Sequence, residues 1–304
     1  MIEELRNLPA PAKLNLFLHV TGRRNDGYHL LETVFDLIDI GDRLTLRLRN
    51  DGALIRRDTL PGVALEQDLT VRAARLLAEE TGCRFGVDIA IEKRVPMGAG
   101  LGGGSSDAAT MLLGLNRLWQ LRLTRRQLMR LAARLGADVP FFVFGRTAYA
   151  TGIGDKLQAL PLPPAIHVIV IPPVPVSTAS VFSSPDLTRD TKPLTIAGLS
   201  RESSVRRGRN DLESVACSGN PAVAAALAAL KKAASEFGLS AAAARLTGSG
   251  SCVFLPVPDE SVAASIRQDL SRRQGTSGEP IGEVIVVRSL PRHPLSDWAF
   301  APDA

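Results

Sequence analysis

The chain has 304 residues, of which 45% are hydrophobic, and it carries a formal net charge of +5. This length and apolar content suffice for the core of a folded enzyme, either as two lobes or as one large α/β domain. No apolar run reaches membrane-spanning length, the basic residues are scattered among acidic ones, and the N-terminus lacks the features of a signal peptide. We therefore expect a cytoplasmic protein that binds neither membranes nor nucleic acid.

Three segments of the N-terminal half alternate between apolar and polar residues, as half-buried strands do. They are Ala12–Val20, Arg43–Arg49 and Val87–Ile91. In the first, one face carries Leu14, Leu16, Leu18 and Val20, and the other carries Lys13, Asn15, Phe17 and His19. We therefore expect this strand to present its polar groups together.

Apolar spacing predicts three helices in the same half of the chain. The first runs over Leu69–Thr81 and ends at Gly82, and the second runs over Ser105–Trp119, with Ser105, Ser106 and Asp107 marking its start. The third opens at Thr124 with a capping box to Gln127 and stops at Gly136.

The C-terminal half is less regular. A strand is predicted at His167–Ile171 inside the proline-rich stretch 161–175, which marks a lobe boundary. A helix at Pro221–Phe237 and strands at Ser251–Val257 and Glu283–Val287 follow, whereas residues 183–209 are polar and weakly patterned. Strands that alternate in polarity, separated by helices, favour an α+β fold over a doubly wound parallel sheet.

The most informative segment is glycine-rich and runs directly into the second predicted helix. It reads Pro96, Met97, Gly98, Ala99, Gly100, Leu101, Gly102, Gly103, Gly104, Ser105, Ser106. Glycines let the backbone take positive φ and approach a ligand, and a helix start offers free N–H groups, so this segment predicts a phosphate-binding loop. We expect Gly103 to leave the space that the phosphates need. The serine hydroxyls would cap the helix, contact phosphate or hold Mg²⁺.

Three common phosphate loops do not fit this segment. A Walker A loop needs a lysine at its end, and none is present. A dinucleotide fingerprint needs an acidic residue after a second strand, where this chain is basic and then helical. The Val-Ala-Ile-Lys and His-Arg-Asp motifs of protein kinases are absent.

Two charged residues stand in apolar surroundings. Asp138 follows a helix end in Gly-Ala-Asp-Val-Pro-Phe-Phe, and Lys13 lies in the first predicted strand. Phosphoryl transfer needs a group that receives the proton of the attacking hydroxyl, and Asp138 is a candidate for it. From the residues alone, Asp138 is equally explained as a turn or cap residue, and Lys13 as a charge that keeps an edge strand soluble.

Six segments together resemble the GHMP kinases, the superfamily of galactokinase, homoserine kinase, mevalonate kinase and phosphomevalonate kinase. They are the glycine loop and the segments that begin at Pro11, Arg24, Gly136, Arg209 and Thr247. Within that superfamily the match resembles the 4-diphosphocytidyl-2-C-methyl-D-erythritol kinases. The resemblance implies a two-lobed fold: an N-terminal ATP-binding and catalytic domain (1–160), similar to ribosomal protein S5 domain 2, and a ferredoxin-like, substrate-side C-terminal domain (161–304).

The resemblance also implies roles for individual residues. Asp138 would receive the proton, with Lys13 beside it and Asn15 holding the acceptor end of the substrate. Tyr28 and His29 would contact the cytidine, with Phe182 stacking on the base from the opposite side and Thr178 nearby, while Lys93 would lie beside the adenine of ATP. The expected substrates are ATP, as its Mg²⁺ complex, and a cytidine-diphosphate-linked polyol phosphorylated on its 2-hydroxyl. Ser105, Ser106 and Asp107 are the candidate metal ligands.

Two alternatives remain open at this stage. The chain could be another kinase of the superfamily that acts on mevalonate, homoserine or a sugar, or a nucleotide-binding protein that has lost turnover. Gly27-Tyr28-His29 with Phe182 argues against the first, and the presence of both Lys13 and Asp138 argues against the second. One departure from the family pattern is Asp68, where an asparagine is common, which puts a nucleotide-side role for that position in doubt.

Overall fold

The computed structural model describes residues 2–58, 60–194, 208–274 and 278–301, so the weakly patterned segment 183–209 lies in part outside the described residues. Within these ranges the chain forms two sheets of mostly antiparallel strands, both packed against helices. The α+β prediction is confirmed.

The first sheet is built on a long hairpin. Its strands are β1 (Glu4–Arg23), β2 (His29–Arg49), β3 (Leu54–Arg56), β4 (Gly86–Glu92), β5 (Ala148–Thr151) and β6 (Lys156–Ala159). The order is β3-β4-β2-β5-β6, with β1 pairing along β2, and the β3–β4 pair is parallel. The three predicted strands are present, but β1 and β2 are much longer than predicted, because register shifts in their pairing interrupt the simple alternation.

Because of one such shift, the residues of β1 do not lie on the two faces that simple alternation predicted. The pairing with β2 slips between Asn15 and Leu18, so the side chains that follow change sides. Lys13 and Asn15 line the central cleft as expected, but beyond the shift it is Leu18 that lines it. His19 is instead buried, with its Nδ1 3.3 Å from the Glu32 carboxylate.

Four helices pack with the first sheet, and the three that were predicted lie close to their predicted bounds. They are α1 (Leu69–Thr81), α2 (Gly103–Leu118), α3 (Arg125–Leu135) and the unpredicted α4 (Val139–Phe144). Gly82 ends α1 with φ 65°, and the Thr124–Gln127 capping box opens α3. The predicted start of α2 was wrong, because the helix begins at Gly103 and its N-cap, Gly102, has no side chain to donate or accept.

The second sheet has the order β10-β7-β9-β8. Its strands are β7 (Ile166–Ile171), β8 (Arg245–Leu246), β9 (Val253–Val257) and β10 (Glu283–Arg288), and the helices that follow β7 are α5 (Thr178–Ser183), α6 (Glu213–Gly219), α7 (Pro221–Glu236) and α8 (Glu260–Leu270). The strand predicted from Ser251 begins later, because residues 247–252 form a tight turn closed by a hydrogen bond from Thr247 N to Cys252 O. α5, α6 and α8 were not predicted.

The two sheets share buried side chains. Leu14 and Ile38 of the first sheet pack in one cluster with Ile169 and Phe254 of the second. This shared packing fixes the walls of the cleft between them. None of the helices in the described ranges combines the length and apolar character needed to cross a bilayer.

Candidate active site

A cleft of about 900 Å³ lies where the glycine loop, β1 and the loops of the second sheet meet. All but one of the predicted site residues line it: Lys13, Asn15, Tyr28, His29, Lys93, Pro96, Met97, Gly98, Ala99, Gly100, Leu101, Gly102, Gly103, Gly104, Ser105, Asp107, Asp138, Thr178 and Phe182. Ser106 is the exception. Tertiary folding thus gathers around one space residues that lie far apart in sequence.

The glycine loop has the backbone conformation that its composition predicts. Gly98, Gly100 and Gly102 have φ values of 67°, 78° and 74°. At Gly100 an added Cβ would stand 2.3 Å from the carbonyl oxygen of Thr247, so the loop rests directly on the turn at 247–252. The loop leads into the N-terminus of α2, whose first amides have no helical partner. Free amides at a helix start favour an anion such as phosphate.

Hydrogen bonds from three other segments hold this loop. Leu101 O accepts from Lys13 N at 3.0 Å, Ala99 O accepts from Cys252 N at 3.1 Å, and Gly98 O accepts from Val176 N at 3.2 Å. The loop carbonyls therefore point toward the protein. This arrangement leaves backbone N–H groups, rather than carbonyl oxygens, to meet a ligand.

The expected role of Ser106 was wrong, and the packing at Gly103 gives that glycine a second explanation. The Ser106 side chain is fully buried and donates a 2.6 Å hydrogen bond to Pro11 O, while its amide donates to Gly102 O, so Ser106 has neither a hydroxyl nor an amide to offer phosphate or metal. A Cβ at Gly103 would meet the Val95 side chain at 3.0 Å rather than fill phosphate space. A side chain at Gly103 would therefore crowd Val95 on the protein side of the loop.

Lys13 and Asp138 meet at one end of this loop. The Lys13 ammonium lies 3.8 Å from the Asp138 carboxylate and donates to Gly100 O at 2.8 Å and to Asn15 Oδ1 at 2.5 Å. Its side chain is only 3% exposed, whereas that of Asp138 is 35% exposed. Burial lowers the pKa of Lys13, an effect that the nearby Asp138 carboxylate partly offsets. A buried cation thus stands beside an accessible carboxylate.

Asn15 also supports this pair. Its Oδ1 accepts from Lys13, and its Nδ2 donates to Thr33 Oγ1 at 2.9 Å. Its backbone N–H donates to Thr247 Oγ1 at 2.9 Å. Asn15 therefore orients Lys13 and ties β1 to both Thr33 on β2 and the 247–252 turn.

Lys93 is part of a buried ion-pair cluster at the base of the loop. Its ammonium contacts Asp42 and lies 2.9 Å from Asp107 on α2. Asp42 also accepts from the amides of Arg94 and Val95 at 2.5 and 2.8 Å. These contacts clamp both flanks of the glycine loop. They also pair the Lys93 ammonium, which was expected beside adenine, with two buried carboxylates.

Asp107 is the least satisfied member of this cluster. Its Oδ2 pairs with Lys93, but its Oδ1 is buried without a hydrogen-bond partner among the described residues. Burial raises the pKa of Asp107 to about 7, although Lys93 opposes the shift. Burial disfavours the charged carboxylate, and the neighbouring Asp42 adds to that effect.

The far end of the cleft carries the aromatic residues. Tyr28 is 60% exposed. The rings of His29 and Phe182 contact each other directly, with centroids 5.0 Å apart and planes tilted by 33°. A base between two rings needs a plane-to-plane separation of ~7 Å, twice an ordinary stacking contact of about 3.5 Å. His29 and Phe182 therefore leave no space for a base between their rings in this structure. Stacking of a base between Tyr28 and Phe182 stays a prediction.

Sequence reasoning missed several residues of this site. Ser249 is one of them: its Oγ lies 2.7 Å from Thr178 Oγ1, so the turn at 247–252 forms one wall of the cleft. Arg189 is another, and it donates a hydrogen bond to His29. The segment that begins at Thr247 was used only for its resemblance, and Arg189 lies in a stretch without a pattern. Asp68 lines the cleft, but its oxygens cap α1 through Thr70 and pair with Arg56 at 3.1 Å.

Comparisons with known proteins agree with the family resemblance of the sequence. Residues 68–146 match the family described as GHMP kinases N terminal domain, and residues 202–276 match GHMP kinases C terminal. The chain is 51% identical to the 4-diphosphocytidyl-2-C-methyl-D-erythritol kinase of Aromatoleum aromaticum, covering 98% of both chains. It is 56% identical to the protein of that name from Ralstonia nicotianae, covering 97% of this chain and 98% of the relative.

Solved structures give similar matches. A crystal structure of 4-(cytidine 5'-diphospho)-2C-methyl-D-erythritol kinase superposes with a TM-score of 0.73 at 32% identity, covering 94% of this chain and 98% of that one. A homoserine kinase from Cytophaga hutchinsonii superposes with a TM-score of 0.70 at 17% identity, covering 96% of each chain, which shows a shared fold.

Proposed function

The chain belongs to the GHMP kinases and acts as an ATP-dependent 4-diphosphocytidyl-2-C-methyl-D-erythritol kinase of isoprenoid precursor biosynthesis, and on that premise we propose how its cleft carries out the transfer. The observation that carries the proposal is the Lys13–Asp138 pair at the end of the glycine loop, with Nζ and the carboxylate 3.8 Å apart. A loop suited to phosphate thus ends beside a group suited to take a proton.

The nucleotide occupies the glycine-loop side of the cleft. The triphosphate lies against the amides between Met97 and Ser105, where the α2 N-terminus favours negative charge. The Lys93–Asp42–Asp107 cluster holds both flanks of the loop, so the amides are oriented before ATP binds. We assign this binding and the catalytic pair to residues 1–160.

Magnesium would arrive with ATP. Among the described residues, no three His, Cys, Asp or Glu side chains form a metal cage. The Ser105 hydroxyl, which lines the cleft at the start of α2, fits a metal held mainly by phosphate oxygens, whereas the Ser106 hydroxyl is engaged with Pro11. When bound, the ion would neutralise phosphate charge.

The transfer itself needs one proton acceptor and one fixed cation. Asp138 takes the proton of the substrate 2-hydroxyl while the oxygen of that hydroxyl forms a bond to the γ-phosphorus of ATP. The bond between the γ-phosphorus and the β–γ bridging oxygen breaks, and ADP leaves. Lys13 stabilises the negative charge that develops on the attacking oxygen and holds the carboxylate. Its hydrogen bonds to Gly100 O and Asn15 fix its position without ligand.

The acceptor substrate occupies the other end of the cleft. Tyr28 and Phe182 flank the cytosine ring, His29 and Thr178 contact the cytidine part, and Asn15 lies near the polyol. Aromatic faces suit a flat base, and the polar groups beside them suit its edge. We assign Thr178 and Phe182 to a substrate-side unit of residues 161–304.

A substrate panel tests the assignment. ADP release is measured with the cytidyl compound, mevalonate, homoserine and galactose in parallel. We expect turnover with the cytidyl compound alone, because the other three have no base for Tyr28 and Phe182 to hold. Turnover with mevalonate only would replace the substrate and keep the kinase, and no turnover with any of the four would favour a binding protein.

A further inference from the structure

Arg189 connects the two aromatic residues at the far end of the cleft. It follows α5, and its guanidinium is partly buried. Its Nε donates to His29 Nε2 at 3.1 Å. Its two terminal nitrogens donate to the carbonyl oxygens of Leu187 at 2.9 Å, Ser184 at 2.6 Å and Phe182 at 3.1 Å. One side chain thus joins β2, which carries His29, to the segment that carries Phe182.

The hydrogen bond to His29 determines the state of that imidazole. A guanidinium has donors only, so His29 Nε2 must accept, and the ring is neutral with its proton on Nδ1. Burial, then the positive charges of Arg189 and Arg23, lower the pKa of His29. Among the residues that the structure describes, these two arginines are the charged groups that shift it. Contact with the Phe182 ring at 5.0 Å limits how the imidazole turns.

We propose that Arg189 is a positioning residue for the cytidine end of the substrate, because it holds His29 as a neutral Nδ1–H donor at the cleft wall and braces the Phe182 backbone. The substrate half of this inference rests on the proposed function. Cytosine has acceptor atoms at a ring nitrogen and at its carbonyl oxygen, and a donor of fixed direction suits them. Within the described residues no group accepts from His29 Nδ1, so that donor is available to a ligand.

The simpler alternative is that Arg189 has a purely structural role and only stabilises its own segment through the carbonyl oxygens of Ser184 and Leu187. The two roles differ in what they do to His29 and to the kinetics. If Arg189 were purely structural, its replacement would leave the protonation of His29 unchanged. Its loss would reduce the folded fraction without raising the KM for one substrate only.

The test combines ¹⁵N-histidine NMR with steady-state kinetics. In the wild-type protein we expect His29 to be neutral with its proton on Nδ1 and to titrate below the ordinary histidine range. In Arg189→Met we expect the His29 pKa to rise and the KM for the cytidyl substrate to rise by about tenfold or more, as loss of charge-assisted hydrogen bonds implies. The kcat and the KM for ATP should stay within about twofold.

Two variants keep the outcome decisive. Arg189→Lys retains the positive charge but not the planar fork, so it should shift both quantities in the same direction by less. Arg134→Met, which removes an exposed arginine paired with Glu80 outside the cleft, should shift neither. If Arg189→Met does not fold, the wild-type spectrum and Arg189→Lys decide.

The results that overturn the proposal are distinct from those that overturn the function. A wild-type His29 with its proton on Nε2, or a cytidyl-substrate KM unchanged in Arg189→Met, would refute the positioning role. Absence of turnover of the cytidyl compound by the wild-type protein would refute the assigned substrate and, with it, the substrate half of the proposal. The NMR result would still report on His29 in that case.

Discussion

The ammonium of Lys13 lies 3.8 Å from the carboxylate of Asp138, although one residue belongs to β1 and the other precedes α4. The lysine is buried and the aspartate is accessible from the cleft. A cation held out of water in this way stabilises negative charge more strongly than an exposed one does. The pair therefore defines the point at which phosphoryl transfer is expected.

Asp138→Asn should abolish most of the turnover and spare ATP binding. The amide keeps the size of the side chain but does not accept a proton, and Asp138 makes no capping hydrogen bond whose loss would disturb α4. We expect kcat to fall by about 10²–10⁴, the usual contribution of a general base. Rapid-quench measurement of phosphate transfer and calorimetric ATP titration would check this. Near-normal kcat would remove Asp138 from the mechanism.

Lys13→Met should separate catalysis from stability. Methionine retains the aliphatic stem of the side chain but removes the ammonium charge. Burial lowers the pKa of Lys13, so the protein interior disfavours that charge. We expect kcat to fall by about 10²–10³. The free energy of unfolding should fall by about 1–3 kcal/mol, because Gly100 O and Asn15 Oδ1 lose their donor and relief of the buried charge offsets only part of that cost. Urea denaturation run beside the kinetic assay measures both. A large loss of stability with unchanged kcat would make Lys13 a structural residue.

Gly100→Ala and Gly104→Ala form a matched pair. At Gly100 a Cβ would stand 2.3 Å from Thr247 O at a φ of 78°, whereas at Gly104 it would meet only Leu69 Cδ1 at 3.8 Å. We expect Gly100→Ala to lower the free energy of unfolding by at least about 1–3 kcal/mol and to weaken ATP binding. Gly104→Ala should keep or raise stability, since alanine is the better helix former. Equal stability of the two variants would mean that the loop does not rest on the 247–252 turn.

His293 should make stability depend on pH below neutrality. Burial, with a smaller effect of the Arg125 charge, lowers its pKa to about 4, and its Nδ1 accepts from Leu295 N at 3.0 Å. Because the folded pKa lies below the value of ~6.5 expected in the unfolded chain, the unfolded state binds more protons between pH 6.5 and 4. The contribution of neutral His293 to the free energy of unfolding is therefore complete above pH 6.5. It is lost as pH falls toward 4, with a slope of at most about 1.4 kcal/mol per pH unit.

His293→Asn is the control for that dependence. Asparagine can accept from Leu295 N through its side-chain oxygen but does not titrate in this range. Urea unfolding at a series of pH values between 4 and 7.5 should give a shallower slope for the variant than for the wild type. Parallel slopes would show that His293 does not titrate with the expected shift.

Local features of the fold could be read from the sequence because their causes lie within a few residues. The Gly82 end of α1, the Thr124–Gln127 capping box and the positive φ values of the glycine loop all follow from residue types at fixed spacing. The start of α2 was misplaced, because Ser106 bonds to Pro11 on β1 instead of capping its own helix. A serine near a helix start has two kinds of partner, and sequence spacing describes only one of them.

The order of residue types along the chain thus predicted several of the helices and strands, the phosphate loop and, through resemblance, most of the residues that line the cleft. Tertiary structure alone decided which of their polar atoms remain available: Lys93 is engaged with Asp42 and Asp107, His29 contacts Phe182 instead of facing it across a base, and Arg189 sets the protonation of His29. The reason is physical. A helix or turn is stabilised by neighbours at fixed offsets, whereas a buried charge or imidazole is satisfied by whichever partner the packing of distant segments brings within hydrogen-bond distance.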